Sequence, residues 1–280
     1  MQSDPSRRSV VALGWVSFLT DLSSDMIYPL LPTFLTKTLG AGPAAIGVIE
    51  GVAETTASLS KIGSGIWADR VRRRKPLVLL GYVIAAIARP LVAFAHAWTQ
   101  VLAIRFTDRV GKGIRTSPRD ALLADIVPRE RRGRAFGLQR AMDNAGAVVG
   151  PLLAAALLKL AFVDERTVFL LAAIPGIAAV VVLLLAVPDA GRRNEVVHAA
   201  RGPREPLSPG FWRVIAVFGL FTLSNSTDAF LLLRAQQAGV AIWQLPLFWS
   251  FFQGVKAVTG VPGGAIADRF GRVPAITLGW

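Results

Sequence analysis

The chain has 280 residues, 53% apolar and 18% charged, with a mean hydropathy of +0.50 and a formal net charge of +13. Soluble chains average about 25% charged residues, and apolar content this high excludes disorder. The absence of cysteine excludes disulfides, thiolate metal sites and a cysteine nucleophile, and His96 and His198 lie in different loops, too far apart in sequence to suggest a metal site.

A helix needs about 20 apolar residues to cross roughly 30 Å of hydrocarbon. In chain order, residues 10–35, 44–67, 76–95, 99–125, 134–160, 167–187, 212–234 and 241–267 predict eight spans. A ninth begins at Val273 and is cut at Trp280, so a fragment is expected. Loop chemistry separates the stretches, as in Leu39-Gly-Ala-Gly-Pro43 and Val187-Pro-Asp-Ala-Gly191. Arg7-Arg8 gives the first stretch the start of a signal peptide. Asp21 and Asp25 interrupt its apolar core and no small-residue cleavage site follows, so it reads as a span.

With the N-terminus cytoplasmic, eighteen lysines and arginines fall on the cytoplasmic side and three, Lys37, Arg166 and Arg234, on the other. That bias sets the orientation. The basic clusters punctuate apolar runs at regular intervals and no nucleic-acid motif is present, which sets aside a soluble nucleic-acid binder. The expected class is an all-α polytopic protein in the lipid bilayer of the plasma (inner) membrane.

Ten basic and nine acidic residues fall inside the spans. Each costs several kcal/mol in hydrocarbon unless paired or hydrated, so near-balance predicts a polar interior. Asp21 and Asp25 share one face of span one, and Glu50 and Glu54 one face of span two. In span four, Arg105, Arg109, Lys112, Arg115 and Arg119 fall within about a third of the helix circumference, flanked by Asp108 and Asp120. Two readings stay open. The stripe is a cationic wall that binds an anionic solute or couples protons, or it is an ion network packed against the acids of spans one and two. Asp25 is the first choice for a carboxylate whose protonation follows its surroundings, with Asp21 second. Either could instead be a permanent counter-ion to Arg105 and Arg109. On span five, Asp143 and Arg140 read as a helix-to-helix pair. Gly111-Lys112-Gly113 is not a phosphate loop, because Phe106 stands where such a loop needs glycine. No nucleophile and base mark an enzyme, and no cofactor is expected.

The chain repeats itself. Gly65-x-x-x-Asp69-Arg70-x-x-Arg73 returns as Gly264-x-x-x-Asp268-Arg269-x-x-Arg272, and Phe18…Ser23-Ser24-Asp25 returns as Phe221…Ser226-Thr227-Asp228. Six spans separate the copies, and an even number preserves orientation, so the halves are parallel repeats. Asp228 thereby becomes a weaker counterpart of Asp25.

These residues resemble the major facilitator superfamily. Gly65, Asp69 and Arg70 match the signature of its loop between spans two and three, with Arg72 at the usual second glycine, which the second copy keeps as Gly271. Arg105 and Gly111 match a span-four pattern in which Asp108 and Arg109 replace Gln-Gly. Gly146-x-x-x-Gly150-Pro151-x-x-Ala154-Ala155 is similar to the fifth-span motif of the family's exporters, with alanine for the last two glycines.

The resemblance implies a twelve-span fold of two six-helix bundles. Residues 1–187 would be the N-terminal bundle, 188–211 a cytoplasmic linker, and 212–280 a truncated second bundle. It implies alternating access around a cavity, with the two Asp-Arg loops as gates. The expected function is secondary transport by a monomer, as proton-coupled efflux of a small solute or drug. The first rival is a proton symporter importing an organic anion, and a rival of another class is a membrane scaffold or receptor that transports nothing.

Overall fold

The computed structural model describes residues 5–71, 73–189, 208–224 and 227–270. The predicted ninth span, Arg272 and most of the predicted linker lie outside the described residues. The described residues form helices joined by short connections, with no strand among them.

Helix α1 (Pro5–Ile27) runs on through tighter and wider turns to Thr38. Two of those turns carry a proline at their start, at Pro29 and Pro32, where a missing N–H is tolerated. Gly40, at φ +63°, turns the chain into α2 (Pro43–Arg70), which has proline in its first turn. Helix α3 (Lys75–Ala88) continues as a 3₁₀ segment, Arg89–Phe94. Helix α4 (Trp98–Ile126) starts where the Gln100 side chain accepts the backbone N–H groups of His96 and Ala97. It stops at Val127, whose place before Pro128 disfavours helix.

Helix α5 (Arg132–Leu160) is followed by α6 (Glu165–Leu171) and α7 (Ala173–Ala186), which together make the sixth span. Asp164 caps α6, accepting from the Thr167 N–H and hydroxyl. Those hydrogen bonds hold its carboxyl below the usual carboxylate range.

The seventh span departs from the prediction of one helix over 212–234. Helix α8 (Pro209–Ser224) ends, Thr227 and Asp228 are not helical, and α9 (Ala229–Gln237) begins. The Thr227 hydroxyl accepts the Ala229 N–H, a local bond with which short polar side chains compete against helix. Gly239, at φ +87°, then turns the chain into α10 (Gln244–Phe270). Gly40 and Gly239 stand at the same 199-residue offset as the repeated loops, so the duplication extends to the backbone turn.

Among the described residues four stretches are long and apolar enough to cross a bilayer by composition: Arg8–Thr38, Lys75–Phe94, Arg129–Leu160 and Glu165–Ala186. Helices α2 and α4 are long enough at 28 and 29 residues but carry many charged and polar residues. Those two helices pack on each other. Helix α1 packs on α5 and α7, α3 on α4 and α7, and α10 on α5.

Close approach is set by glycine. A Cβ at Gly150 would lie 2.5 Å from the Leu22 carbonyl oxygen, and one at Gly146 would collide with that of Phe18. Gly81 and Gly111 face each other across α3 and α4 in the same way, each within 2.8 Å of the other's carbonyl oxygen once a Cβ is added. Such spacing is how helices associate when lipid supplies no hydrophobic drive.

Two apolar clusters form the core. One holds Leu13, Val16, Val78, Leu122 and Leu183, the other Met26, Leu30, Phe34, Ile49 and Phe169. Along α1, the stretch between Val16 and Met26 is rich in serine, threonine and aspartate, so a polar layer lies between the clusters.

Candidate functional site: a charged layer between the helices

The layer is built on α4. Arg105 donates to Glu50 on α2 at 2.7 Å and lies over the Tyr28 ring, 5.6 Å from its centroid. Arg89, at the end of α3, donates to Asp108 at 2.9 Å and to the Thr20 carbonyl at 2.8 Å. Both pairs are buried. Ser24, Ile27, Ile104 and the three residues Arg89, Arg105 and Asp108 line a small cavity. Arg115 lies 4.7 Å over the Tyr82 ring and donates to the Gly81 carbonyl at 3.4 Å. Arg119 reaches Asp120 at 3.2 Å, Asp143 at 3.8 Å and the Ser17 hydroxyl at 3.3 Å. A buried ion pair stands only with good geometry and further hydrogen bonds, and each of these arginines has at least one neighbour besides its main partner.

The pairing differs from expectation in two respects. Arg105 takes Glu50, not Asp21 or Asp25, as its direct counter-ion. Asp143 pairs across helices with Arg119, and Arg140 is exposed. In each case the partner belongs to the helix that packs against the charge, and sequence spacing does not reveal that neighbour.

Asp25 is half-buried and accepts the Trp249 indole N–H, from α10, at 2.8 Å. The Trp249 ring packs on Tyr28 with centroids 4.8 Å apart. Asp228 bonds Lys256 at 2.9 Å, and both side chains are about half exposed. Asp21 is half-buried, and Lys112 and Glu54 are exposed. Arg109 is buried.

In the first Asp-Arg loop, a Cβ at Gly65 would lie 3.6 Å from the Ser117 hydroxyl of α4, and Asp69 and Arg70 sit exposed in the last turn of α2. Arg73 reaches Asp189 at 3.7 Å. Arg269 is exposed at the end of α10, while the side chains of Gly264 and Asp268 lie outside the described residues. Gly146 and Gly150 make the α1–α5 contact, and Pro151 follows them, buried within α5.

Several residues of the layer escaped the sequence reading as site residues. Arg89 had a signal, as the one basic residue in an otherwise apolar span. Trp249 and Tyr28 had none. Arg74, which reads as a loop charge, is buried and paired with Asp125 at the end of α4. Lys75, counted the same way, donates to the Leu184 and Val187 carbonyls at the end of α7.

Helices of membrane-spanning length, a duplicated helix pair and a charged layer between them define a polytopic protein of the two-bundle transporter class. The chain belongs to the Major Facilitator Superfamily, whose family model matches residues 13–280. It is 30% identical over 279 residues to an uncharacterized MFS-type transporter of Methanocaldococcus jannaschii, covering 98% of this chain and 69% of that one. Over 146 residues it is 28% identical to a multidrug resistance protein of Salmonella paratyphi B, covering 52% and 36% of the two chains. Among solved structures it is similar to a bacterial homolog of the human lysosomal transporter Spinster in an inward-facing, occupied conformation. That match has a TM-score of 0.74 and 21% identity, and covers 96% of this chain and 63% of the other. The likeness shows the fold. The chain spans about two thirds of the length of its most similar relatives.

Proposed function

We propose that the protein is a secondary active transporter that works by alternating access and exports a small solute in exchange for protons. It acts as a monomer in the plasma (inner) membrane with its N-terminus cytoplasmic. In this reading residues 1–187 form one bundle, 188–211 the linker, and 212–280 the opening of the other.

One observation carries the coupling: the Asp25 carboxylate on α1 accepts the indole N–H of Trp249 on α10. A hydrogen bond to an ionised acceptor is roughly twice as strong as a neutral one. Taking up a proton on Asp25 therefore weakens a bond between the two halves, and losing it restores that bond. Movement of the halves is tied to the proton in this way.

The contacts at one end favour the same reading. Gln236 of the seventh span meets Thr33 and Thr36 beyond α1, at 3.1 and 3.3 Å. A Cβ at Gly47 would lie 3.6 Å from the Phe230 ring. At the opposite end, the described side chains of α8 are exposed. Halves that touch at one end and part at the other suit a rocking carrier. Gly146, Gly150 and Pro151 support export as the direction.

The test is transport in everted membrane vesicles with an acid lumen. Solute uptake accompanied by proton efflux supports exchange. Solute and protons leaving together supports the rival importer of an organic anion. Flux that ignores the gradient removes proton coupling altogether.

A further inference from the structure

Among the described residues five arginines are buried: Arg74, Arg89, Arg105, Arg109 and Arg115. Four of them are engaged. Arg74 pairs with Asp125, Arg89 with Asp108 and Arg105 with Glu50, and Arg115 has the Tyr82 ring and the Gly81 carbonyl. Arg109 is as buried as Arg89 and Arg105, each 6% exposed. Yet among the described residues it makes no hydrogen bond, no ring contact and no ion pair within 4.0 Å, and its Nε is a buried donor without an acceptor.

The nearby carboxylates do not relieve it. Glu50 and Asp108 are committed to Arg105 and Arg89. Glu54 and Asp21 face Arg109 or Lys112 electrostatically, but among the described residues neither forms a direct pair with them; Glu54 is exposed and Asp21 half-buried. Little water reaches a guanidinium that is 6% exposed, and its Nε reaches none. A buried charge without a partner destabilises the fold, a cost that makes sense when the partner arrives from solution. Lys112 lies three residues on, on the same face of α4, and is exposed.

We propose that Arg109 is the anchor for an anionic group on the transported solute, a carboxylate or phosphate held by the guanidinium fork, with Lys112 drawing it in. A planar fork of donors matches such oxyanions in two-point contact, which a point charge cannot do. This rests on the carrier reading only for the word "transported". Binding itself is a separate measurement.

The test uses purified protein in phosphatidylcholine nanodiscs with no pH gradient. The probes are benzoate, phenyl phosphate, benzamide and benzylammonium, which share a ring and differ in charge. At least one of the two anions is expected to raise the melting temperature, and benzamide and benzylammonium are not. Arg109→Met is expected to bind that anion at least tenfold more weakly. By removing an unpaired buried charge, it should also melt about 2–4 °C higher than the parent without ligand. Arg140→Gln, on an exposed surface, should change neither. The proposal is overturned if neither anion binds, if benzamide binds as well as the anions, or if Arg109→Met melts lower, which would mean Arg109 has a partner within the fold. In a parallel arm, phosphatidylglycerol is added in place of the probes. A shift that depends on Arg109 there, with none from the soluble anions, assigns the site to lipid and also overturns it. Failure of proton-coupled flux in vesicles leaves these results standing, so the two readings fail independently.

Discussion

Asp25 and Asp228 occupy matching places in the two copies of the first-span motif, yet they live in different surroundings. Asp25 lies within an unbroken α1, half-buried, and its partner is the neutral indole of Trp249. Asp228 lies in a break between α8 and α9, half exposed, and its partner is the ammonium of Lys256. One helix, α10, supplies both partners from positions seven residues apart. Trp249 itself stands at the 199-residue offset from Glu50, so where the first copy places a carboxylate for Arg105, the second places a ring for Asp25. Duplication therefore copies a residue's place along the helices, and the neighbouring helix decides what each residue becomes.

Substitutions along these two copies can break that contrast. The largest effect belongs to Glu50→Ala, which strands Arg105 beside a missing partner. A loss of about 3–5 kcal/mol is expected, read as a lower melting temperature or as lost folded protein. Asp25→Asn comes next. The amide oxygen still accepts the indole N–H, so the fold should hold within about 1 kcal/mol. Gradient-driven flux should fall by two orders of magnitude or so, the scale of a lost proton-transfer group. Retained flux in this variant would end the assignment of coupling to Asp25.

Outside both copies, Asp164→Ala removes the cap of α6, at a cost of about 1 kcal/mol. The hydrogen bonds that depress the Asp164 carboxyl are worth most when it is ionised. Their contribution is therefore full above the ordinary carboxylate range near about pH 4 and fades as the pH falls through the lowered value. Thermal melts of parent and variant should converge in acid; a gap that persists at the lowest pH would contradict the cap. The smallest effect belongs to Asp228→Asn. Its bond to Lys256 is half exposed, and such pairs contribute about 0–1 kcal/mol. Flux should stay within about twofold of the parent, below 0.5 kcal/mol. Equal loss of flux in the Asp25 and Asp228 variants would mean that the two copies share the work and that the difference in partners has no functional weight.

Much of this molecule could be read before any coordinates. The helices α2, α4 and α5, and α3 with its 3₁₀ continuation to Phe94, begin and end within a few residues of the predicted spans, because proline, glycine and charge mark where a chain leaves the apolar phase. Helical periodicity alone places Arg105, Arg109 and Arg115 on one side of α4, and all three side chains are buried between helices. The break at Thr227 was harder. Ser224 to Asp228 are polar, yet the apolar residues on both sides read together as one span, and the competing hydroxyl bond is a local contest that hydropathy does not register. Arg74 shows a similar gap: in a loop it counts as surface charge, and only the approach of α4 makes it a buried ion pair.

The sequence alone determined where the apolar stretches lie, that the basic residues gather between them, and that two segments are copies, because transfer free energy and periodicity act on each stretch separately. The tertiary structure alone decided the pairings: Glu50 for Arg105, Asp108 for Arg89, Trp249 for Asp25, and no described residue for Arg109. An ion pair is a distance between helices, and that distance depends on how close glycines such as Gly81 and Gly146 let two backbones come.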